Sequence, residues 1–416
     1  MSAAMKLCFV LILLFICYVF ADRKVSTDTQ HSCLTNTSIC GSLAHVTAVG
    51  VNDVLHYVVT TIGVPSVFVA YTSPNVKLTV DWERLLSDNH TEKANSVMLK
   101  PKAGVHYTYT LLFTKLIDYN DTKDKADMST YDQSSTEWNV YDLSTFTWDN
   151  ISAVSDIKGN SIKMQASSQY PSDLWQYNGT FSIQLSAYSS SGRESQLPHL
   201  EYSENITQFD LNIDHVWTNL SMSRFGIEMV MLGGGKDEMK VDETRSIDDE
   251  YTPGVFTIFN WLTRGGDTGF LQWKPVCYQS LERSRSEATG MKHYGIQALT
   301  DENKNILRDT LAYGYYGENF TTQMSQAANL SFGLSKDGGY NKTQVLTWSG
   351  SVGYGTPPMD TVSMLVIIII SAGLGLPAVI IIFGGIFTCI KKRNAKPDKQ
   401  LKDIQSSGYQ RIASDE

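Results

Sequence analysis

Cysteine is scarce, with six in 416 residues. Cys8 and Cys17 lie in an apolar run at the N-terminus and Cys389 at the end of a second one, leaving Cys33, Cys40 and Cys277 between them. Three thiols cannot build a disulfide scaffold, so the roughly 340 residues between the runs must rest on a hydrophobic core. The eight histidines fall singly, with no His-Glu-x-x-His pair and no Cys or acid spacing that suggests a metal site. Gly333-Leu334-Ser335-Lys336-Asp337 lacks the second glycine of a nucleophile elbow. Gly233-Gly234-Gly235-Lys236 lacks the leading glycine spacing and the following hydroxyl of a phosphate loop, and a plain hairpin turn is expected there. Asp248-Asp249-Glu250, near Asp242 and Glu243, is the pattern of a solvated acidic face. No catalytic residue, metal or cofactor is therefore expected, and the chain is not read as an enzyme. Positive charge is also lacking. The net charge is −9, and the part between the apolar runs carries −13 once the +1 of the N-terminal segment and the +3 of the tail are set aside. That balance argues against nucleic acid as a partner.

Asn-x-Ser/Thr triplets are what the chain has in excess. They occur at Asn36, Asn89, Asn120, Asn150, Asn178, Asn205, Asn219, Asn319, Asn329 and Asn341, none with a middle proline. Half of the 20 asparagines are thus followed two residues on by a hydroxyl, although Ser and Thr together are only about a fifth of the residues. All ten precede a run without a charged side chain, Val362 to Ile390. Clustered on one side of an apolar span, they point to a secreted, densely N-glycosylated face of a membrane protein.

The two ends agree with this. Lys6 precedes the apolar run Leu7 to Phe20, and Val19-Phe20-Ala21, small or modest in size before Asp22, offers a cleavage site after Ala21, so residues 1–21 are expected to be a signal peptide. The 29 residues of 362–390 would span ~43 Å as a helix, enough to cross a bilayer with tilt. Lys391-Lys392-Arg393 follows at once, so the tail 391–416 is expected in the cytosol and the N-terminus in the lumen, a type I arrangement.

Period-two alternation dominates residues 22–361. Val76, Leu78 and Val80, then Tyr107, Tyr109, Leu111 and Phe113, then Phe181, Ile183, Leu185 and Ala187 each alternate with mostly polar neighbours. Each series predicts a strand with one face on a core and a hydroxyl-rich face toward water. Further strands are expected at 55–61, 66–72, 225–232, 254–261, 328–334 and 344–349, and one helix at 302–312. The fold class is therefore mainly β: a lumenal antiparallel sandwich-like domain followed by a single transmembrane helix. Asp118 to Glu137 is expected as a long exposed loop. If the β domain holds two subdomains, they divide near 190–205. Cys33 and Cys40 are expected to pair across a short loop, with Cys277 a buried thiol or an intermolecular link.

Two constellations address partners. In the tail, Tyr409-Gln410-Arg411-Ile412 follows Gly408 and fits Tyr-x-x-bulky-apolar, a segment that lies extended in a cytosolic clathrin adaptor and fills two of its pockets. In the membrane run, Ser371 and Gly375 are spaced four apart, a small face that lets another helix approach, and Pro377 is expected to kink the helix near Gly373.

Ser246-Ile247-Asp248-Asp249-Glu250-Tyr251-Thr252-Pro253-Gly254-Val255-Phe256, Phe270-Leu271-Gln272-Trp273-Lys274-Pro275-Val276, Leu346-Thr347-Trp348-Ser349, Pro357-Pro358 and the Tyr409 tail resemble the glycosylated lysosomal membrane protein family. The resemblance covers nearly the whole chain, with the Ser246 to Tyr251 run its most specific part. It implies a non-enzymatic accessory subunit of the lysosomal membrane, which pairs with a major facilitator transporter and protects it from lumenal proteases through its glycans. Its rivals are a membrane-tethered lysosomal hydrolase and an endocytosed cell-surface receptor.

Overall fold

The computed structural model describes residues 23–35, 37–130, 137–155, 159–166, 179–246, 252–264, 268–359 and 364–394. Residues up to Asp360 form one unit and those from Thr361 another. In the first unit the described strands pair antiparallel. Strands β1 (Lys24–Cys33), β2 (Cys40–Val49), β3 (Val54–Thr60) and β4 (Ser66–Thr72) form a meander. A side ribbon of β5 (Lys77–Val80) and β6 (Val97–Lys100) leads into the long β7 (Val105–Asn120). The first half of β7 pairs with β4 and its second half with β8 (Trp138–Asp142). A second sheet begins with β9 (Ser152–Ser155), β10 (Gly159–Gln165) and β11 (Thr180–Tyr188). After the small ribbon of β12 (Gly192–Arg193) and β13 (Glu201–Tyr202), β14 (Ile206–Asp214) adds to β11. The chain then returns to the first sheet, where β15 (Ser223–Gly233) lies along β7. β16 (Asp237–Arg245), β17 (Thr257–Arg264) and β18 (Gly269–Trp273) belong to the second sheet. β19 (Val276–Tyr278) and β20 (Ala288–Ala298) pair with each other and link the two sheets. β21 (Ser325–Phe332) joins β20 to β15, and β22 (Val345–Tyr354) runs between β14 and β18.

The alternation seen in the sequence supplies the interior. Phe181, Ile183 and Leu185 on β11 and Phe209, Leu211 and Ile213 on β14 are buried with Leu111 and Phe113 of β7 in one cluster. Phe113 meets Phe209 edge-on at 5.4 Å, and Trp348 packs on Phe209 at 5.1 Å and on Phe332 at 5.8 Å. Each such ring is worth up to about 3 kcal/mol relative to staying in water. A polar tie crosses the same interior. The Tyr109 hydroxyl donates to the carbonyls of Gly353, at 2.6 Å, and Phe270, at 3.2 Å, in the opposite sheet. Glycine makes room for its ring: a Cβ on Gly269 would lie 2.4 Å from it.

Four expectations change. The polar face of β7 does not meet water, because Tyr109 to Asn120 are buried on both sides. Where one helix was expected, two short ones, Asp301–Arg308 and Leu311–Tyr316, cover this face, each capped by a threonine, Thr300 and Thr310. Tyr316 donates to the Thr108 hydroxyl at 3.0 Å, and Phe68 packs on Tyr315 and Tyr316. The stretch from Asp118 is not an exposed loop at its start: Asp118, which accepts from the Ser223 and Thr218 hydroxyls, and Asp121, which pairs with Arg224, are fully buried. Finally, Gly233, Gly234 and Gly235 all have positive φ and do turn the chain, but the strands they join lie in different sheets, so the turn is no hairpin. Gly234 is also fixed by space, since a Cβ there would come 2.6 Å from Thr263 and from the Tyr107 hydroxyl.

The first sheet also encloses a histidine pair. His45 and His56 stack with centroids 5.1 Å apart; a ring nitrogen of each meets the other at 2.9 Å, and His56 reaches the Thr72 hydroxyl at 3.0 Å. Burial lowers His45 to about 4, against an opposing pull from Asp28. Burial, and then the neighbouring His45, lowers His56 to about 3. Between these values and the ordinary imidazole value near 6.5, the unfolded chain takes up protons that the folded one refuses. Stability from the pair is therefore present above that ordinary value and falls as pH drops, by about 2 kcal/mol per histidine at pH 5. Replacing His56→Gln should lower stability at pH 8 but shrink the loss between pH 8 and pH 5. Thermal unfolding of the full chain at both pH values checks this, and an undiminished loss in the variant would contradict it.

Candidate functional site

The ten acceptor asparagines do not share one environment. Asn89, Asn150, Asn219, Asn319 and Asn341 are exposed, and they lie at a helix N-cap, ahead of β9, ahead of β15, in a 3-10 turn and ahead of β22. Asn205 and Asn329 are half-buried. The Asn205 carbonyl oxygen accepts from Arg23 Nε at 2.8 Å. Asn329 sits within β21, opposite Tyr294 and Gly295, where the register with β20 slips between His293 and Ile296. Gly295 has positive φ and nothing within 4 Å of its Cβ position, so the bulge leaves space beside this acceptor. Asn120 is different. It is 8% exposed, and its Oδ1 accepts from the Met222 amide at 2.9 Å and from Ser221 at 3.3 Å. Asn36 and Asn178 lie outside the described residues.

A buried charge cluster fixes the segments around Asn120. Arg224 of β15, 1% exposed, pairs through Nε with Asp121, through Nη2 with Asp124 at 2.8 Å and through Nη1 with Asp337 at 2.7 Å. Backbone amides help to hold the three carboxylates: Ala126 donates to Asp121, Lys336 to Asp124, and Gly339 and Leu334 to Asp337. Burial alone would raise the Asp337 carboxyl. Hydrogen bonds from Thr289, Gly339 and Leu334, and then the Arg224 charge, outweigh it and hold the group below its ordinary value. Its contribution is thus present above the ordinary carboxylate range and is lost only as pH falls through the lowered value. The geometry demands glycine at position 333, where a Cβ would lie 2.1 Å from Arg224 Nη1. Sequence reasoning missed this cluster because its members come from three distant segments.

Other reactive groups are occupied. Cys33 and Cys40 stand opposite each other at the β1–β2 turn and are joined as a disulfide. His31 lies beside them, and these three are the one group of neighbouring metal-capable side chains among the described residues, two of its ligand atoms already spent in the S–S bond. Cys277 is a buried free thiol that donates to the Gly290 carbonyl, and burial pushes it up to about 12, which leaves it protonated and unreactive. Asp242 pairs with Lys240, while Asp248, Asp249 and Glu250 lie outside the described residues.

The second unit contains the helix Met364–Asn394, within which Val366–Arg393 is long and apolar enough to cross a membrane. Pro377 sits inside it, and the helix runs on through that residue. Ser371 and Gly375 lie one turn apart, with open space at the Gly375 Cβ position. Tyr409, Gln410, Arg411 and Ile412 fall outside the described residues.

A family model described as "Glycosylated lysosomal membrane protein" matches residues 42–395. Glycosylated lysosomal membrane protein B of Xenopus laevis is 33% identical over 386 residues, 91% of this chain and 93% of the relative. The glycosylated lysosomal membrane protein of Danio rerio is 31% identical over 382 residues, 90% of each chain. That of Homo sapiens is 30% identical over 348 residues, 83% of each.

The acceptor geometry has a measurable consequence. Asn89→Gln, Asn150→Gln and Asn319→Gln should each remove one glycan, seen as a stepwise mobility shift; thermal unfolding should stay unchanged for the last two, whereas Asn89→Gln also disturbs the N-cap bond from the Thr91 amide. Asn120→Gln should lower the unfolding temperature even in enzymatically deglycosylated protein, because it disturbs the bond to the Met222 amide. Equal unfolding temperatures for all four variants would contradict that structural role.

Proposed function

The chain belongs to the glycosylated lysosomal membrane protein family, and on that premise we propose that it is a non-enzymatic accessory subunit shielding a polytopic partner. That it is a lysosomal membrane glycoprotein follows from the family, and among the described residues one helix is long and apolar enough to cross a membrane. In the finer reading, residues 1–21 are removed as a signal peptide. The β unit lies in the lumen, the helix crosses once, and the basic tail from Lys391 faces the cytosol. The partner is a lysosomal major facilitator transporter, and protection is steric. Glycans on the β unit, together with a core that offers few loose segments, keep hydrolases from the partner's lumenal loops.

The observation that carries this reading is the placing of five exposed acceptors on different edges and turns of one β unit. A catalytic glycoprotein needs its glycans clear of a cleft, whereas a shield needs them spread. The disulfide at the β1–β2 turn and the Arg224 cluster tie down segments that a protease would otherwise enter. In the membrane, Ser371 and Gly375 supply a face on which a partner helix packs closely.

Removing the chain from cells should lower the partner's protein level while its transcript stays constant, and lysosomal protease inhibitors should restore the protein. Replacing Ser371 and Gly375 together by Leu should weaken co-purification without altering glycosylation. Undiminished co-purification would assign the whole contact to the β unit. A constant partner level after removal would overturn the shielding role.

The tail is the proposed address. Tyr409→Ala should move the protein to the plasma membrane, because the adaptor pocket loses its ring and hydroxyl. Ile412→Ala should act alike. Surface biotinylation measures both, and unchanged lysosomal residence would remove the tail as the main signal.

A further inference from the structure

Period-two alternation that buries one face of the second sheet leaves the other face polar. Gln184, Ser186 and Tyr188 of β11 point away from the core, and register sets Gln184 beside Asp210 and Ser186 beside Gln208 of β14, with Ser349 of β22 beside Asp210. The β12–β13 ribbon and its loop arch over this face. Gln208 holds the loop by donating to the carbonyls of Leu200 and Glu201, at 3.1 and 3.2 Å, and Tyr188 stacks on Tyr202 at 3.8 Å. Between face and arch lies a cavity of about 140 Å³. At 10–15 Å³ per water position, that is room for roughly ten waters, the scale of one sugar ring and not of an extended chain.

Its polar groups are incompletely used. Arg283, 7% exposed, lines the cavity, with Nη2 on Asp210 at 2.7 Å and Nη1 on the Ser349 hydroxyl at 2.9 Å. Its Nε is buried with no hydrogen-bond partner. A buried guanidinium N–H without an acceptor is rare in native proteins and calls for one. The half-buried Gln184 amide lines the same cavity. Glu194, which accepts from the Tyr188 hydroxyl at 3.2 Å, adds a second carboxylate. One guanidinium thus faces two carboxylates, a balance that repels an acidic ligand. An ammonium ligand would bring a second cation against the Arg283 guanidinium. A hydroxyl group both accepts and donates, and suits the guanidinium, the amide and the carboxylates together.

We propose that this cavity binds one neutral sugar, a hexose or an N-acetylhexosamine, either free or at the end of a glycan. The full-length glycoprotein in a detergent without a sugar headgroup should take up radiolabelled mannose, galactose, glucose or N-acetylglucosamine saturably in equilibrium dialysis, or be retained on beads carrying glycans that end in those sugars. Uptake in dialysis assigns a free sugar; retention on beads alone assigns a glycan terminus. Gln184→Leu should weaken binding by about tenfold or more with unchanged thermal unfolding. Gln184→Glu, which keeps the shape but replaces the amide donor by a third negative charge, should weaken it similarly. No saturable binding in either arm, wild-type binding by both variants, or stronger competition by glucuronate or sialic acid than by neutral sugars would overturn the proposal.

Discussion

The distance between the two sheets is set on β7, and most of the molecule is arranged around that strand. Its inward residues fix the gap: Phe113 against Phe209, and the Tyr109 hydroxyl on the backbone of the opposite sheet. A hydrogen bond to a carbonyl tolerates little stretching, so this tie allows one separation where apolar contact alone would allow several. Glycine stands at 269 on the far side because the tyrosine ring occupies its Cβ space, and at 353 because the Phe270 ring and the Asn205 carbonyl do. On the outward side β7 receives the two short helices, and its last residues deliver Asp118 and Asp121 to the interior. A strand buried on both faces carries constraints in every direction.

Much of this was legible in the sequence, because period-two patterns report burial directly. Strands at 66–72, 225–232 and 344–349 were placed to within a few residues, and the antiparallel two-sheet architecture followed from them. What could not be seen was a second layer. Thr108 and Thr114 look solvent-facing as hydroxyls, yet they lie under helices and bond to Tyr316 and Glu228. A threonine on a wet face and one satisfied beneath a helix have the same letter. The candidate acceptors were equally readable as triplets, but their triplets cannot separate exposed Asn89 from buried Asn120. The Arg224 cluster lay beyond reach for another reason, since no local spacing records that Asp121, Arg224 and Asp337 meet.

Two buried titrating elements both lose stability as pH falls, but in different windows. The contribution of the Asp337 carboxylate beside Arg224 is lost only as pH falls through its lowered value, while that of the His45–His56 pair falls away already below the ordinary imidazole value. In a member of a lysosomal membrane family, the first suits the working environment and the second sets its limit. Acid tolerance here is set by which of two buried groups takes up protons first and not by surface charge.

Asn120 connects the buried cluster to the order in which the chain is made. Its side chain is enclosed only once Met222 has docked on it, and the neighbouring Asp121 is locked only when Arg224 and then Asp337 have been synthesised. An enzyme that modifies this asparagine therefore has a window that opens as residue 120 emerges and closes when the segment around residue 224 arrives. For the exposed acceptors no such clock runs. Occupancy at this one position would then record the speed of folding relative to synthesis, so that two molecules of identical sequence can differ in their coat according to how quickly β15 found its place.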